Sequence, residues 1–322
     1  MATMKALRLT RQDPASPPTL SLETLPKPIL APGHLLMKVY ASAIHPSDII
    51  NFRGAFPYTT FPRVPGRDYS GTVVEGPVEW VGKEVYGTSG YTQAFTEDGA
   101  HAEFILVPEA AVAPKPRNIS FAQAACVGVP FTTAALTLRY AKLSAGDVVL
   151  VLGANGAVGS AVVQLARIRG CRVLLATLED GADVNTAKDP ELTVVDVLTG
   201  GKGMDVVIDT VGYPALTKAA VSKLGRGGRL AFIAAPKTGS TEMSFDMLDF
   251  YRKEKTLIGC NSLLHSVEEF AELMKDMTLS FENGEYQATG EGEWSHVKLE
   301  DGVEAYEKAK ERGAGKFVLV MQ

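Results

Sequence analysis

The sequence predicts an α/β fold: a doubly wound parallel sheet with a second, β-rich, barrel-like unit. Three observations predict it. The stretch 148–169, VVLVLGANGAVGSAVVQLARIR, runs from an apolar strand through a glycine turn into a helix. From about 128 to 262, strand and helix patterns alternate, which implies parallel strands with helical crossovers. Residues 1–127 read instead as short strands bounded by glycine and proline.

Composition sets the outer limits. A chain of 322 residues argues for about two domains. With 46% hydrophobic residues and a net charge of −5, it reads as an ordinary soluble globular protein. It has no basic cluster, so neither nucleic acid nor a membrane surface is expected as a partner. No apolar run approaches the ~18 residues of a membrane span. The opening MATMKALRLT has no signal-peptide core. Cys126, Cys171 and Cys260 are far apart, fit no zinc or disulfide spacing, and read as small buried hydrophobes. A reducing, cytoplasmic compartment is the expectation.

In chain order, 4–10 and 35–43 read as strands with a proline-rich connection between them. Further strands are expected at 71–74, 84–87 and 102–107, closing a barrel-like unit. In the α/β part, 131–141 is a helix leading into strand 148–152. Strands follow at 172–177, 205–209, 228–234 and 256–260, and helices at 216–224 and 243–251. Beyond 263, helices are expected at 267–277 and 302–312. A closing strand at 317–321 should return to the first unit, since the parallel sheet already has its strands. The expected division is therefore 1–127, joined by 263–322, and 128–262.

The glycine turn carries the clearest chemistry. It reads Gly153-Ala154-Asn155-Gly156-Ala157-Val158-Gly159. Gly153 permits a tight turn, Gly156 lets backbone N–H groups approach a pyrophosphate, and Gly159 lets the helix pack close to its strand. The helix N-terminus then presents partial positive charge to the phosphates. A glycine turn that binds nothing is the alternative. Ligands of such sheets sit at the C-terminal strand ends, which here bring Thr177, Val211, Ile233, Ala234, Cys260, Asn261 and Ser262.

Taken together, several segments resemble the medium-chain dehydrogenase/reductase superfamily, in its zinc-independent quinone oxidoreductase and enoyl reductase branch. The segments are AIHPSDIINFRGAF (43–56), PRVPGRDYSGTVV (62–74), GAHAEFILVP (99–108), VGVPFTTAALTL (127–138), LVLGANGAVGSAVVQLA (150–166), GGKGMDVVIDTVG (200–212), GGRLAFIAAP (227–236) and GKFVLV (315–320). The resemblance spans nearly the whole chain. It implies a Rossmann dinucleotide-binding domain, a GroES-like β-barrel catalytic domain, and hydride transfer from a nicotinamide cofactor.

Departures from the family decide the branch. Zinc members place a Cys in the segment that here reads His45-Pro46-Ser47-Asp48, and His-Glu where this chain has Arg67-Asp68. They also carry a four-cysteine lobe, and 85–107 has no cysteine. A catalytic zinc needs about three protein ligands, and this set does not supply them. Without zinc, an enolate formed by hydride addition needs another donor or positive charge. Relatives often carry a Tyr at the position of Phe56. Tyr58 lies two residues on and is either the acid or a rim residue. His45 stands where relatives have Asn against the nicotinamide; it donates a proton or hydrogen bond, or is satisfied by backbone groups. Arg67 and Asp68 are expected to pair as ions. His101 reads as structural. Thr133 resembles a cofactor-contacting residue of the family, or else it caps or solvates its helix.

After strand 172–177, relatives have a helix of about three turns. Here only Leu178-Glu179-Asp180 precedes Gly181-Ala182-Asp183, so the helix is missing and the adenosine end should be more open. Thr177 does not repel a 2′-phosphate, and Arg172 and Lys188 are candidate partners for one. NADPH is thus expected over NADH, with Glu179 and Asp180 opposing it. The expected enzyme is an NADPH-dependent, homodimeric reductase of an enone or quinone, held in the cleft between the domains. Carbonyl reduction, a biosynthetic tailoring step, or cofactor binding without turnover are the alternatives.

Overall fold

The structure is a computed structural model and describes residues 2–236, 238–288, 293–311 and 315–321. The chain divides into two compact units, Met1–Val129 with Leu263–Gln322, and Pro130–Ser262.

The first unit begins with strands β1 (Thr3–Thr10) and β2 (Thr19–Pro26), which form an antiparallel pair. β2 corrects the expectation of a plain proline-rich connection: TLSLETLP alternates as a strand should, between flanking prolines. Next come β3 (His34–Ile44), α1 (Pro46–Phe52), β4 (Asp68–Glu75), β5 (Glu84–Thr88), β6 (Phe104–Pro108), β7 (Ala113–Pro114) and α2 (Phe121–Ala124). β6 begins two residues later than the expected strand 102–107, and His101 lies before it. The core gathers Leu35, Met37, Val39, Tyr69, Val85 and Ile105 with Tyr306 and Leu319 from the far end of the chain. His101 is fully buried within it. Its Nε2 donates to Ala43 O (3.1 Å) and its Nδ1 accepts from Tyr306 Oη (2.9 Å). Burial holds its pKa down at about 3, so it is a neutral structural residue.

The second unit takes up α3 (Gly128–Tyr140), β8 (Val148–Leu152), α4 (Ala157–Ile168), β9 (Arg172–Thr177), β10 (Val184–Asn185), α5 (Val194–Leu198), β11 (Met204–Asp209), α6 (Pro214–Ser222), β12 (Leu224–Phe232), α7 (Met247–Arg252) and β13 (Thr256–Gly259). Its six strands run parallel in the order β10-β9-β8-β11-β12-β13. Leu150, Leu152, Leu174, Val207 and Leu230 fill its core. Leu224, expected to end a helix, instead opens β12. The stretch Phe121–Tyr140 corrects the expectation of no span-length apolar run. It is long and apolar enough by length and composition to cross a membrane, and most of it is buried inside the protein, as in a core helix.

The chain then returns to the first unit with α8 (Val267–Glu282), β14 (Trp294–Lys298), α9 (Gly302–Ala309) and β15 (Lys316–Val320). β15 pairs antiparallel with β3 and parallel with β14, extending the sheet β14-β15-β3-β4-β5-β7, to which β6 adds beside β3. α8 is anchored there by Tyr86 Oη donating to Met274 O (2.8 Å). The expected helix end at Arg312 lies outside the described residues.

Candidate active site

In the first unit, β3 ends at Ile44 and the chain turns directly into α1. His45 is the N-cap of that helix, and Pro46 takes the first helical position, where a missing N–H costs nothing. Asp48, in the first turn, accepts from His45 N at 2.8 Å. The carboxylate entering β4, Asp68, meets His45 Nε2 at 2.7 Å, and both side chains are buried. Thr88, its register partner on β5, donates to Asp68 Oδ1, and Val129 N donates to both carboxylate oxygens. Both carboxylate oxygens thus already accept from neighbouring groups, which casts His45 Nε2 as the donor in its contact with Asp68. The Trp294 and His45 rings meet in a T-shaped contact, with centroids 5.7 Å apart.

The expected Arg67–Asp68 ion pair does not form. Successive residues entering a strand point to opposite faces, so Asp68 turns to His45 and Arg67 turns away. Arg67 Nε donates to Ser89 Oγ (2.6 Å) and Nη1 to Ser47 Oγ (2.9 Å). Among the described residues no carboxylate lies within ion-pair distance of this guanidinium. It is 3% exposed. Burial lowers its pKa, against the charges of Asp48 and Asp68; a guanidinium stays protonated regardless. Asp48 shows the same burial with the opposite consequence. Its pKa rises to about 6, chiefly through burial and against His45 and Arg67, and its Oδ1 has no partner among the described residues.

Tyr58 completes this group. Its ring packs 5.4 Å from Phe95 and 5.6 Å from Phe56, and Arg67 lies 5.9 Å from the Phe95 ring. Tyr58 is 41% exposed. Partial burial raises its pKa, and the charge of Arg67 opposes that rise. The loop bearing it is strapped to α1: Thr59 Oγ1 donates to Asn51 Oδ1 (2.7 Å) and Asn51 Nδ2 donates to Ala94 O (2.8 Å). His45, Tyr58 and Arg67 thus share one cluster. Ser47, Ser89 and Asp48 belong to it and were not singled out from sequence. For Ser89 no local signal exists, because the fold alone brings it to Arg67.

In the second unit, the glycine turn has its expected geometry. Gly153 sits at φ +76°, open to glycine at little cost. A Cβ on Gly159 would collide with the Gly153 carbonyl, which is why helix α4 can start so close to β8. Gly156 is the N-cap of α4, and a Cβ there would meet only Gly153 O, at 3.2 Å. Its outer side is open to a ligand, so this cradle fits a pyrophosphate against the Ala157 and Val158 end of the helix. Thr177 closes β9. Val211 N and Gly212 N donate to Asp209 Oδ1 (2.8 and 2.9 Å), fixing the loop after β11. Ile233 and Ala234 follow β12. Cys260, Asn261 and Ser262 follow β13, and Thr137 Oγ1 donates to Cys260 Sγ (3.4 Å). Thr133 is buried in α3, one turn before Thr137, to which its carbonyl is bonded at 2.7 Å. Arg172 opens β9, at the wrong end for a cofactor phosphate, and donates to Leu198 O (3.0 Å).

Residues 31–117 match the model of the alcohol dehydrogenase GroES-like domain, and residues 157–278 that of zinc-binding dehydrogenases. A zinc-type alcohol dehydrogenase-like protein of Schizosaccharomyces pombe is 46% identical over 99% of this chain and 97% of its own. The quinone oxidoreductase of Homo sapiens is 30% identical over 80% of each chain. The crystal structure of an alcohol dehydrogenase superfamily protein from Novosphingobium aromaticivorans superposes with a TM-score of 0.82 at 25% identity, covering 99% of this chain and 100% of the other. A parallel sheet with a phosphate turn, together with a GroES-like unit, defines a class of dinucleotide-dependent oxidoreductases. The chain belongs to the medium-chain dehydrogenase/reductase superfamily, in its quinone oxidoreductase branch.

The zinc of the family's name does not fit this donor set. Among the described residues no three His, Cys, Asp or Glu side chains gather as a ligand group. A guanidinium stands at Arg67, and the His45 nitrogen facing Asp68 is committed to it.

Proposed function

We propose that this chain is a zinc-independent, nicotinamide-dependent reductase of an activated C=C bond or a quinone. The observation that carries the reading is the buried Arg67 cation, held by two hydroxyls and free of any carboxylate partner among the described residues, with the Tyr58 phenol under its charge. A reduced nicotinamide dinucleotide, which the glycine turn 153–159 would hold by its pyrophosphate, would supply a hydride for the β-carbon. The electron pair of the C=C bond moves toward the carbonyl oxygen, and the resulting enolate is what Arg67 stabilises. Tyr58, a neutral phenol, gives the proton that completes the reduction. Arg67 then stabilises the tyrosinate until solvent reprotonates it. His45, buried against Asp68, orients the start of α1 rather than meeting substrate.

Three further readings accompany this one. The chain acts as a homodimer through β13, which among the described residues forms a sheet edge and is partly apolar. Sedimentation is expected to give twice the 34.4 kDa chain mass, and the single-chain mass at micromolar concentration would remove the dimer. The cytoplasm is the compartment, in keeping with three free, buried cysteines. Elemental analysis of chelator-free protein is expected to find no stoichiometric zinc; about one zinc per chain would contradict the ligand argument.

The experiment that tests the function is loss of dihydronicotinamide absorbance against a panel of quinones and enones. Steady oxidation supports the reductase. Cofactor binding without turnover across the panel would make the chain a binding protein instead.

A further inference from the structure

β9 and β10 are parallel neighbours, with Val184 opposite Ala176 and Asn185 opposite Thr177. Parallel neighbours ordinarily need a crossover of about a dozen residues or more, usually a helix. Here residues 178–183 are the whole connection. So short a link fixes where its three acidic side chains go, and the last of them, Asp183, accepts from Leu175 N (2.8 Å). Glu179 N donates to Thr177 Oγ1 (3.1 Å), tying the link to the strand end. Glu179 Oε1 accepts from Asn155 Nδ2 (3.0 Å), so its carboxylate stands beside the glycine turn. Asp180 turns the other way, to Lys188 Nζ (2.6 Å) and Asn185 Nδ2 (2.9 Å). Lys188 is thereby occupied, and Arg172 is at the opposite end of β9. Among the described residues, no lysine or arginine lies within ion-pair distance of Glu179.

We propose that Glu179, held by Asn155, reads the adenosine ribose, and that this chain prefers NADH to NADPH. The inference rests on the reading that the second unit binds a nicotinamide dinucleotide, and it reverses what Thr177 alone implies. A carboxylate at the end of this strand accepts hydrogen bonds from ribose hydroxyls. The same carboxylate, with no cation to offset it, repels a 2′-phosphate. Thr177 does not compensate, because its hydroxyl donates to Glu179 O (3.4 Å) and accepts from Glu179 N.

The test is titration of NADH and of NADPH into the full-length protein, read by dihydronicotinamide fluorescence, with wild type, Glu179→Gln and Lys188→Ala. Wild type is expected to bind NADH at least about tenfold more tightly, the equivalent of one good charged contact. Glu179→Gln should narrow the gap to about threefold or less, mainly by tightening NADPH, since a neutral amide removes the repulsion. Lys188→Ala should leave the NADPH affinity unchanged. Equal or tighter binding of NADPH by wild type overturns the proposal, as does an unchanged gap in Glu179→Gln or weakened NADPH binding in Lys188→Ala. If neither dinucleotide binds, the dinucleotide reading itself fails and takes this inference with it.

Discussion

The glycine turn and the Arg67 cluster manage polarity in opposite ways. At the turn, side chains are removed so that backbone N–H groups and a helix terminus face outward, and no titratable group is buried to do it. Around Arg67, the backbone is ordinary and the polarity lies in Arg67, Asp48, Asp68 and His45, all buried. The first arrangement is cheap to fold and is spoiled by added bulk. The second is costly to fold and is spoiled by removing a single partner. Substitutions in the two regions should therefore fail differently, one in binding and the other in stability and turnover.

The largest effect is expected from Asp68→Ala. It strands three buried donors, His45 Nε2, Thr88 Oγ1 and Val129 N. Breaking such a buried pair costs about 3–5 kcal/mol, readable as a lower urea midpoint; a change under about 1 kcal/mol would mean the cluster is not held by this carboxylate. Arg67→Met comes next. It should lower kcat/KM about 10²–10³-fold, as loss of an oxyanion-stabilising group does, with dinucleotide affinity untouched. A loss of less than about threefold would take the charge-stabilising role from Arg67.

Gly156→Val sharpens the contrast from the other side. Dinucleotide affinity should fall about 100-fold, while circular dichroism stays that of wild type, because residue 156 has ordinary extended dihedrals and one near neighbour. Unchanged affinity in a folded variant would show that the phosphates bind elsewhere. The smallest effect is a pH dependence. Asp48 titrates near 6 when folded and at 3.8 as a free side chain. Between those values the folded state holds a proton that the unfolded state has lost, so this group's contribution to stability falls as pH rises from about 4 to 6. About 2–3 kcal/mol is involved, and Asp48→Asn should remove that slope. Parallel stability curves for wild type and variant would exclude Asp48 as its source.

What could be read from sequence follows the same division. β8 and β9 have their expected bounds because β8 is apolar throughout and β9 carries an apolar run, 173–176, between Arg172 and Thr177. The glycine turn was legible because each glycine answers a local backbone demand. β2 hid among prolines, and α6 ended before Leu224 because the following Gly-Arg-Gly-Gly run enters β12 rather than capping a helix. At the cluster, sequence brought His45, Arg67 and Asp68 forward by position in a motif. It could not say which of the two, His45 or Arg67, Asp68 would face, because that depends on strand-face alternation and on β5 supplying Thr88. Glu179 and Asp180 were equivalent as letters; only the short link separates them, one toward Asn155 and the other toward Lys188.

The pairing of β15 with β3 bears on how the protein is made. Residues 130–262 are contiguous and hold a complete parallel sheet, so they can collapse as soon as they leave the ribosome. The first unit must wait. Its strand β3, finished at residue 44, keeps an open edge until Lys316–Val320 arrives and seats between it and β14. Throughout that interval an apolar strand of the nascent chain is exposed to any extended segment nearby. Chaperone demand during synthesis should accordingly track the first unit, although it is the first to be translated.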